Sequence, residues 1–95
     1  AARIVRRQGD AIVDPARMRN VGEAIAGDPV ATAAYRQLQR QGTEVIMDFG
    51  PPPSSDLMGE ADWARNQVTL YMQNHRSAEE AVATLVHESS HISRF

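Results

Sequence analysis

One segment decides the fold, and it reads SAEEAVATLVHESSHI from Ser77 to Ile92. Ser77 and Glu80 have the spacing of a capping box, in which the Ser hydroxyl and the Glu carboxylate satisfy free amides of the first turn. A mainly apolar stripe follows at helical spacing: Val82, Leu85, Val86, Ser89 and Ile92. We therefore predict a helix from Ala78 to about Ser93, with this stripe facing the core.

An adjacent stripe of the same helix would line a cleft and carries the residues suited to chemistry: Glu80, Thr84, His87 and His91. His87 and His91 are four residues apart, so they share one face and lie one turn apart. Two imidazoles so placed can both direct a nitrogen at one metal ion. Glu88 lies about 100° further round the helix, where it can approach water at the metal without taking a coordination position.

The pattern His87-Glu88-Ser89-Ser90-His91 therefore predicts a zinc site. His87 and His91 are the candidate Zn²⁺ ligands and Glu88 is the candidate general base, which is the assignment of these residue types in HExxH hydrolases. The alternative is a helix that presents two surface histidines with no ligand.

A catalytic zinc ion generally has three protein ligands, and the third is not evident in this sequence. None of the four residues after His91 can ligate zinc. The third ligand is either further along a longer chain or upstream, or the site is incomplete. The upstream candidates are His75, Asp62, Glu60 and Asp48, although His75 is more simply interpreted as an exposed loop histidine.

The N-terminal half of the chain has the signals of two helices. Asp14-Pro15 and Asp28-Pro29 each place an N-cap residue before a proline in the first helical position. We expect helices ending at Ala26 and at about Gln41, each followed by a glycine. Apolar residues recur at helical spacing in both helices: Met18, Val21 and Ile25 in the first, and Val30, Ala34 and Leu38 in the second.

The remaining segments are typical of strands. Thr43 to Phe49 and Gln67 to Met72 are rich in β-branched or alternating apolar residues, while Leu57 to Trp63 is ambiguous. Residues 1–13 form either a short strand pair that turns at Gly9-Asp10 or a loose arm. The expected fold class is α+β: two N-terminal helices, a small, mostly antiparallel sheet, and a C-terminal helix that carries the site.

Length and composition limit the kinds of protein that this chain can be. The 95 residues suit a single domain, residues 1–95, and the sequence is consistent with part of a longer protein that lacks its C-terminal portion. The formal net charge is −2, which gives no electrostatic reason to expect nucleic acid as a partner. There is no cysteine for a disulfide or a thiolate zinc site, and no apolar run long enough to span a membrane.

The strand Gln67 to Met72 and the helix up to His91 resemble zincin-like metallopeptidase domains of bacterial polymorphic (Rhs-type) toxins. The similarity covers about residues 57–93 and is most specific over 78–91. It implies zinc at His87 and His91, Glu88 as the catalytic base, and an extended peptide bound by strand addition beside the strand Gln67–Met72.

The resemblance also implies partners and a location. These are a protein or peptide substrate, a cognate immunity protein or the rest of a larger toxin, and export from a bacterium before action in a target cell. The competing hypothesis is a non-catalytic module that keeps the zincin helix and works by binding. Trp63 and Tyr71 could flank a substrate groove, but packing within a hairpin is the simpler interpretation.

Overall fold

The computed structural model describes residues 3–7 and 15–92, with side chains from residue 20 onward. The elements follow in this order: β1 (Arg3–Arg7), α1 (Pro15–Ala26), α2 (Pro29–Gln41), β2 (Glu44–Asp48), β3 (Gly59–Asp62), β4 (Gln67–Tyr71), a 3₁₀ turn (Met72–Asn74) and α3 (Ala78–Ile92). The α+β class and the described helices are confirmed. The predicted turn at Gly9-Asp10, the cap at Asp14 and the helix end at Ser93 lie outside the described residues.

The four strands form one mixed sheet in the order β1-β2-β4-β3. β1 pairs with β2 and β2 pairs with β4 in parallel, and only β3 pairs with β4 in an antiparallel manner. The expectation of a mostly antiparallel sheet is therefore wrong. The physical reason is the connection between β1 and β2, because α1 and α2 form a crossover long enough to return the chain to the same end of the sheet.

The core is built from apolar side chains of the helices and from one face of the sheet. α3 contributes Ala81, Val82, Leu85 and Ile92, and the central strands contribute Val45, Met47, Val68 and Leu70. In α2 the buried positions are Ala31 and Leu38, whereas Val30, which belongs to the apolar stripe, is 64% exposed. The small side chain of Ala31 allows close contact between helices, which a larger residue at this position would prevent.

The capping interactions explain where α2 and α3 begin. Asp28 accepts the amides of Val30 and Ala31, as its N-cap position predicts. At α3 the amide of Glu80 donates to Ser77 Oγ at 3.2 Å, which confirms half of the capping box. The carboxylate of Glu80 accepts the amide of Arg76 at 2.7 Å, one residue before the expected partner.

Among residues 3–7 and 15–92, none of the helices combines the length and the apolar character needed to cross a bilayer.

Candidate metal centre

The exposed face of α3 carries two histidines whose rings meet. His87 Nε2 and His91 Nε2 are 3.2 Å apart, with the ring centroids 4.8 Å apart and the planes at 70°. Both side chains are exposed, whereas Glu88, between them in sequence, is only 8% exposed. The ligand atoms of His87, Glu88 and His91 all lie within 4.8 Å of one another, so these three residues could hold a metal ion.

The helix is held in place on both sides of this cluster. Its inner face is buried through Leu85, Ser89 and Ile92. Its last carbonyls, which have no partner within a helix, accept bonds from side chains of neighbouring segments. Trp63 Nε1 donates to the carbonyl of His91 at 3.0 Å, and Gln41 Nε2 donates to that of Ile92 at 3.1 Å. Two hydrogen bonds from separate segments therefore hold the last turn of α3, which carries His91.

Trp63 therefore contacts α3 as well as its own hairpin. Its side chain is 57% exposed, and its indole N–H reaches the end of α3 beside the histidine pair. Tyr71, in contrast, is buried and donates from its hydroxyl to Glu60. Trp63 thus lies near the metal cluster, while Tyr71 belongs to a polar contact within the sheet.

Within the described part of the chain, no additional His, Asp or Glu joins the cluster of His87, Glu88 and His91. Three of the four upstream candidates have carboxylates that contact other groups. Asp48 accepts the amide of Gly50, Glu60 accepts the hydroxyl of Tyr71, and Asp62 accepts the amide of Arg65. The structure gives none of these residues a place in the metal cluster.

His75, the fourth candidate, is buried rather than exposed, which corrects its interpretation as a loop histidine on the surface. Its side chain is 3% exposed, with Nδ1 2.9 Å from the carbonyl of Tyr71 and Nε2 2.8 Å from Thr84 Oγ1. Since a carbonyl can only accept, Nδ1 carries the proton in this contact. Nε2 contacts Thr84 Oγ1, whose hydroxyl also donates to the carbonyl of Glu80 at 3.1 Å, so both ring nitrogens have polar contacts inside the fold.

The edge strand β3 lies directly against α3 beside the cluster. A Cβ atom at Gly59 would be 2.7 Å from Thr84 Cγ2, 2.9 Å from the carbonyl oxygen of Thr69 and 3.2 Å from Glu88 Cγ. Gly59 was not singled out from the sequence, although an isolated glycine in a strand indicates a close approach of backbone. Its missing side chain lets β3 form one wall beside Glu88.

Gly59→Ala is therefore expected to lower the free energy of unfolding by about 1–3 kcal/mol, the usual range for overpacking. The added methyl group meets a backbone oxygen that cannot rotate away, as well as Thr84. Urea denaturation measures the change. Gly22→Ala is the matched control, because nothing lies within 4 Å of its Cβ position and alanine favours a helix. Equal stability of Gly59→Ala and the parent would contradict this packing.

A cavity of about 500 Å³ begins at the metal cluster and extends along α3. Its helix wall runs from His87 and Glu88 back to Glu80, and its opposite wall is the segment from Asp56 to Gly59. The sequence predicted Glu80 and His87 in a cleft but gave no sign of the opposite wall. The site is therefore a His-Glu-His cluster that could hold a metal ion and that opens into a groove between α3 and the start of β3.

Comparisons with protein-family models, with curated protein sequences and with solved structures found no match to this chain.

Proposed function

We propose that this protein is a zinc-dependent hydrolase of peptide bonds, with His87 and His91 as zinc ligands and Glu88 as general base. The observation that carries the proposal is the convergence of two imidazole nitrogens, 3.2 Å apart, beside a buried carboxylate. Two nitrogens bound to one tetrahedral zinc ion at 2.0–2.1 Å lie about 3.3–3.4 Å apart. The observed separation is close to this value.

Glu88 has the surroundings that a general base requires. The structure gives its carboxylate no hydrogen bond or ion pair within the described residues, and the side chain lines the cavity while remaining 8% exposed. Zinc, when bound, supplies a Lewis acid that makes water nucleophilic near neutral pH. Glu88 accepts a proton from the attacking water and later delivers it to the nitrogen of the leaving amine. A carboxylate with an internal partner would be less free to exchange that proton.

The exposed edge of the sheet supports a peptide as the substrate. β3 is the last strand in the order, and among the described residues only β4 pairs with it. An extended peptide can add to such an edge through backbone hydrogen bonds. The strand expected beside the cleft was Gln67–Met72, but β4 pairs on both sides, with β2 and β3. β3 is therefore the strand that offers a free edge beside Glu88.

The resemblance to toxin-type metallopeptidases is the basis for the proposed substrate and partner. It implies that the substrate is a protein of the target cell and that a cognate immunity protein binds this chain. The second candidate function is a non-catalytic binding module. One observation favours it. Within residues 20–92, whose side chains are described, no further His, Asp or Glu joins His87, Glu88 and His91.

Zinc dependence of peptide cleavage is the test that separates these two functions. The zinc-loaded protein is incubated with a library of peptides from a digested proteome, and new termini are identified by mass spectrometry. We expect cleavage that a chelator abolishes and that added Zn²⁺ restores, because the nucleophile depends on the metal. A protein that retains no zinc after equilibration with an excess of Zn²⁺, and cleaves nothing, would support the binding module instead.

A further inference from the structure

The cavity beside the metal cluster combines apolar walls with negative charge. Among the residues whose side chains are described, eight line it and none of these is Lys or Arg: Asp56, Met58, Gly59, Glu80, Ala83, Thr84, His87 and Glu88. Met58 and Ala83 supply apolar surface, while Asp56 and Glu80 supply carboxylates beyond the one of Glu88. At about 500 Å³ the cavity lies within the range of pockets that bind small ligands.

The positions of these groups along α3 give the cavity a direction. His87 and Glu88 mark the end at the metal cluster, Ala83 and Thr84 lie one turn earlier, and Glu80 lies one turn earlier again. The amide of Arg76 donates to Glu80 Oε1, and this contact fixes the carboxylate at the far end. A side chain that enters beside His87 and Glu88 thus passes Ala83 before it reaches the carboxylate of Glu80.

Glu88 gives an independent indication that this cavity receives a ligand. Its side chain is more than nine-tenths buried, lines the cavity and has no hydrogen bond or ion pair to the described residues. None of the polar side-chain atoms among the described residues is sealed from solvent without a partner, so the Glu88 oxygens open onto the cavity, where a ligand can bond to them. The cavity therefore presents an acceptor beside the histidines in addition to the carboxylates further along.

We propose that this cavity is a specificity pocket that binds the side chain of a lysine or arginine next to the bond that is cleaved. The methylene stem would lie against Met58 and Ala83, and the cationic head would reach Asp56 and Glu80, since long basic side chains bury the stem and keep the charge in a polar region. The inference rests on the proposed peptidase function and names the substrate class of the same site.

Substitution of the pocket carboxylates tests the proposal in the cleavage reaction. Paired peptides carry lysine or norleucine on each side of the bond that the parent cleaves. We expect the parent to prefer the lysine peptide, and Glu80→Gln with Asp56→Asn to reduce that preference by about fivefold, the scale of a partly exposed ion pair. Gln at position 80 keeps the amide that Ser77 caps and a side-chain oxygen for the amide of Arg76, so the start of α3 should be retained.

Glu79→Gln is the matched control, because it removes the same charge from the same turn. Glu79 is exposed and lies outside the cavity, so this variant should keep the preference of the parent. Equal cleavage of lysine and norleucine peptides by the parent would overturn the pocket while leaving the peptidase function intact. A loss of the lysine preference in Glu79→Gln as large as in the double variant would also overturn the pocket.

A binding measurement decides the proposal independently of cleavage. N-acetyl-lysine amide and N-acetyl-norleucine amide are titrated into the zinc-loaded protein and followed by NMR chemical shifts of Met58, Ala83 and Gly59. Selective shifts with the lysine compound, weakened in the double variant, support the pocket even if no peptide is cleaved. Identical responses to the two compounds would refute it.

Discussion

Glu88→Gln is expected to reduce peptide cleavage by about 10²–10⁴-fold, the usual contribution of a positioned general base, while zinc binding persists. The amide has nearly the shape of the carboxylate but cannot accept the proton from water. Glu88 is buried and its carboxylate has no hydrogen-bond partner among the described residues, so the substitution breaks no hydrogen bond within them. Cleavage rate, zinc content and melting temperature are measured on the same preparation.

Glu88→Asp provides the control, because it keeps the carboxylate and moves it back by one methylene group. Its activity should lie between those of the parent and Glu88→Gln, with zinc again retained. The zinc content of Glu88→Gln also distinguishes a base from a ligand, since the carboxylate lies within 4.8 Å of the imidazole nitrogens. If zinc is lost together with activity, Glu88 holds the metal and the assigned role of base is wrong.

The features predicted correctly from the sequence are those fixed by local chemistry. The start of α3 follows from Ser77 and Glu80, and the start of α2 follows from Asp28 and its proline. His87 and His91 meet because helical geometry alone brings residues four apart together. These interactions span at most a few residues, so a pattern in the sequence is enough to predict them.

The features that were missed depend on how distant segments pack. Parallel pairing of β2 with β4 depends on the path of the intervening loop and β3, which no short pattern encodes. The burial of His75 depends on Thr84, nine residues later, which supplies its hydrogen-bond partner. The opposite wall of the cavity comes from a segment before β3 that approaches α3 only in the folded chain. The pairing of the two histidines could therefore be predicted from the sequence, but the segments packed around them could not.

The edge position of β3 shows how a packing feature can change a functional hypothesis. Alternation along Gln67–Met72 correctly predicted a strand, and Val68, Leu70 and Met72 are buried. Strand order, however, places β4 inside the sheet and leaves β3 at its edge. Because a Cβ atom on Gly59 at the start of β3 would contact Thr84 and Glu88, this edge strand and Glu88 are neighbours. The peptide of the proposed function would therefore lie along β3 rather than β4.

His91→Ala is expected to weaken zinc binding by more than the roughly 10–100-fold that loss of an outer-shell partner costs, because it removes a direct ligand. His87→Ala should behave in the same way, since the two imidazoles form one chelating pair. Both side chains are exposed, and Trp63 contacts the backbone carbonyl of His91 rather than its ring. The fold should therefore survive, and competition with a chromogenic chelator measures the affinity.

Ser90→Ala is the control for this experiment, because Ser90 is exposed on the same turn and, among the described residues, its hydroxyl bonds only the carbonyl of His87. It should bind zinc as the parent does. If His87→Ala and His91→Ala both retain the affinity of the parent, zinc binds elsewhere and the cluster is only a pair of surface histidines. If both lose zinc and the parent still cleaves no peptide, α3 carries a metal site that serves binding. The two histidine variants thus test the metal centre itself, independently of the chemistry assigned to Glu88.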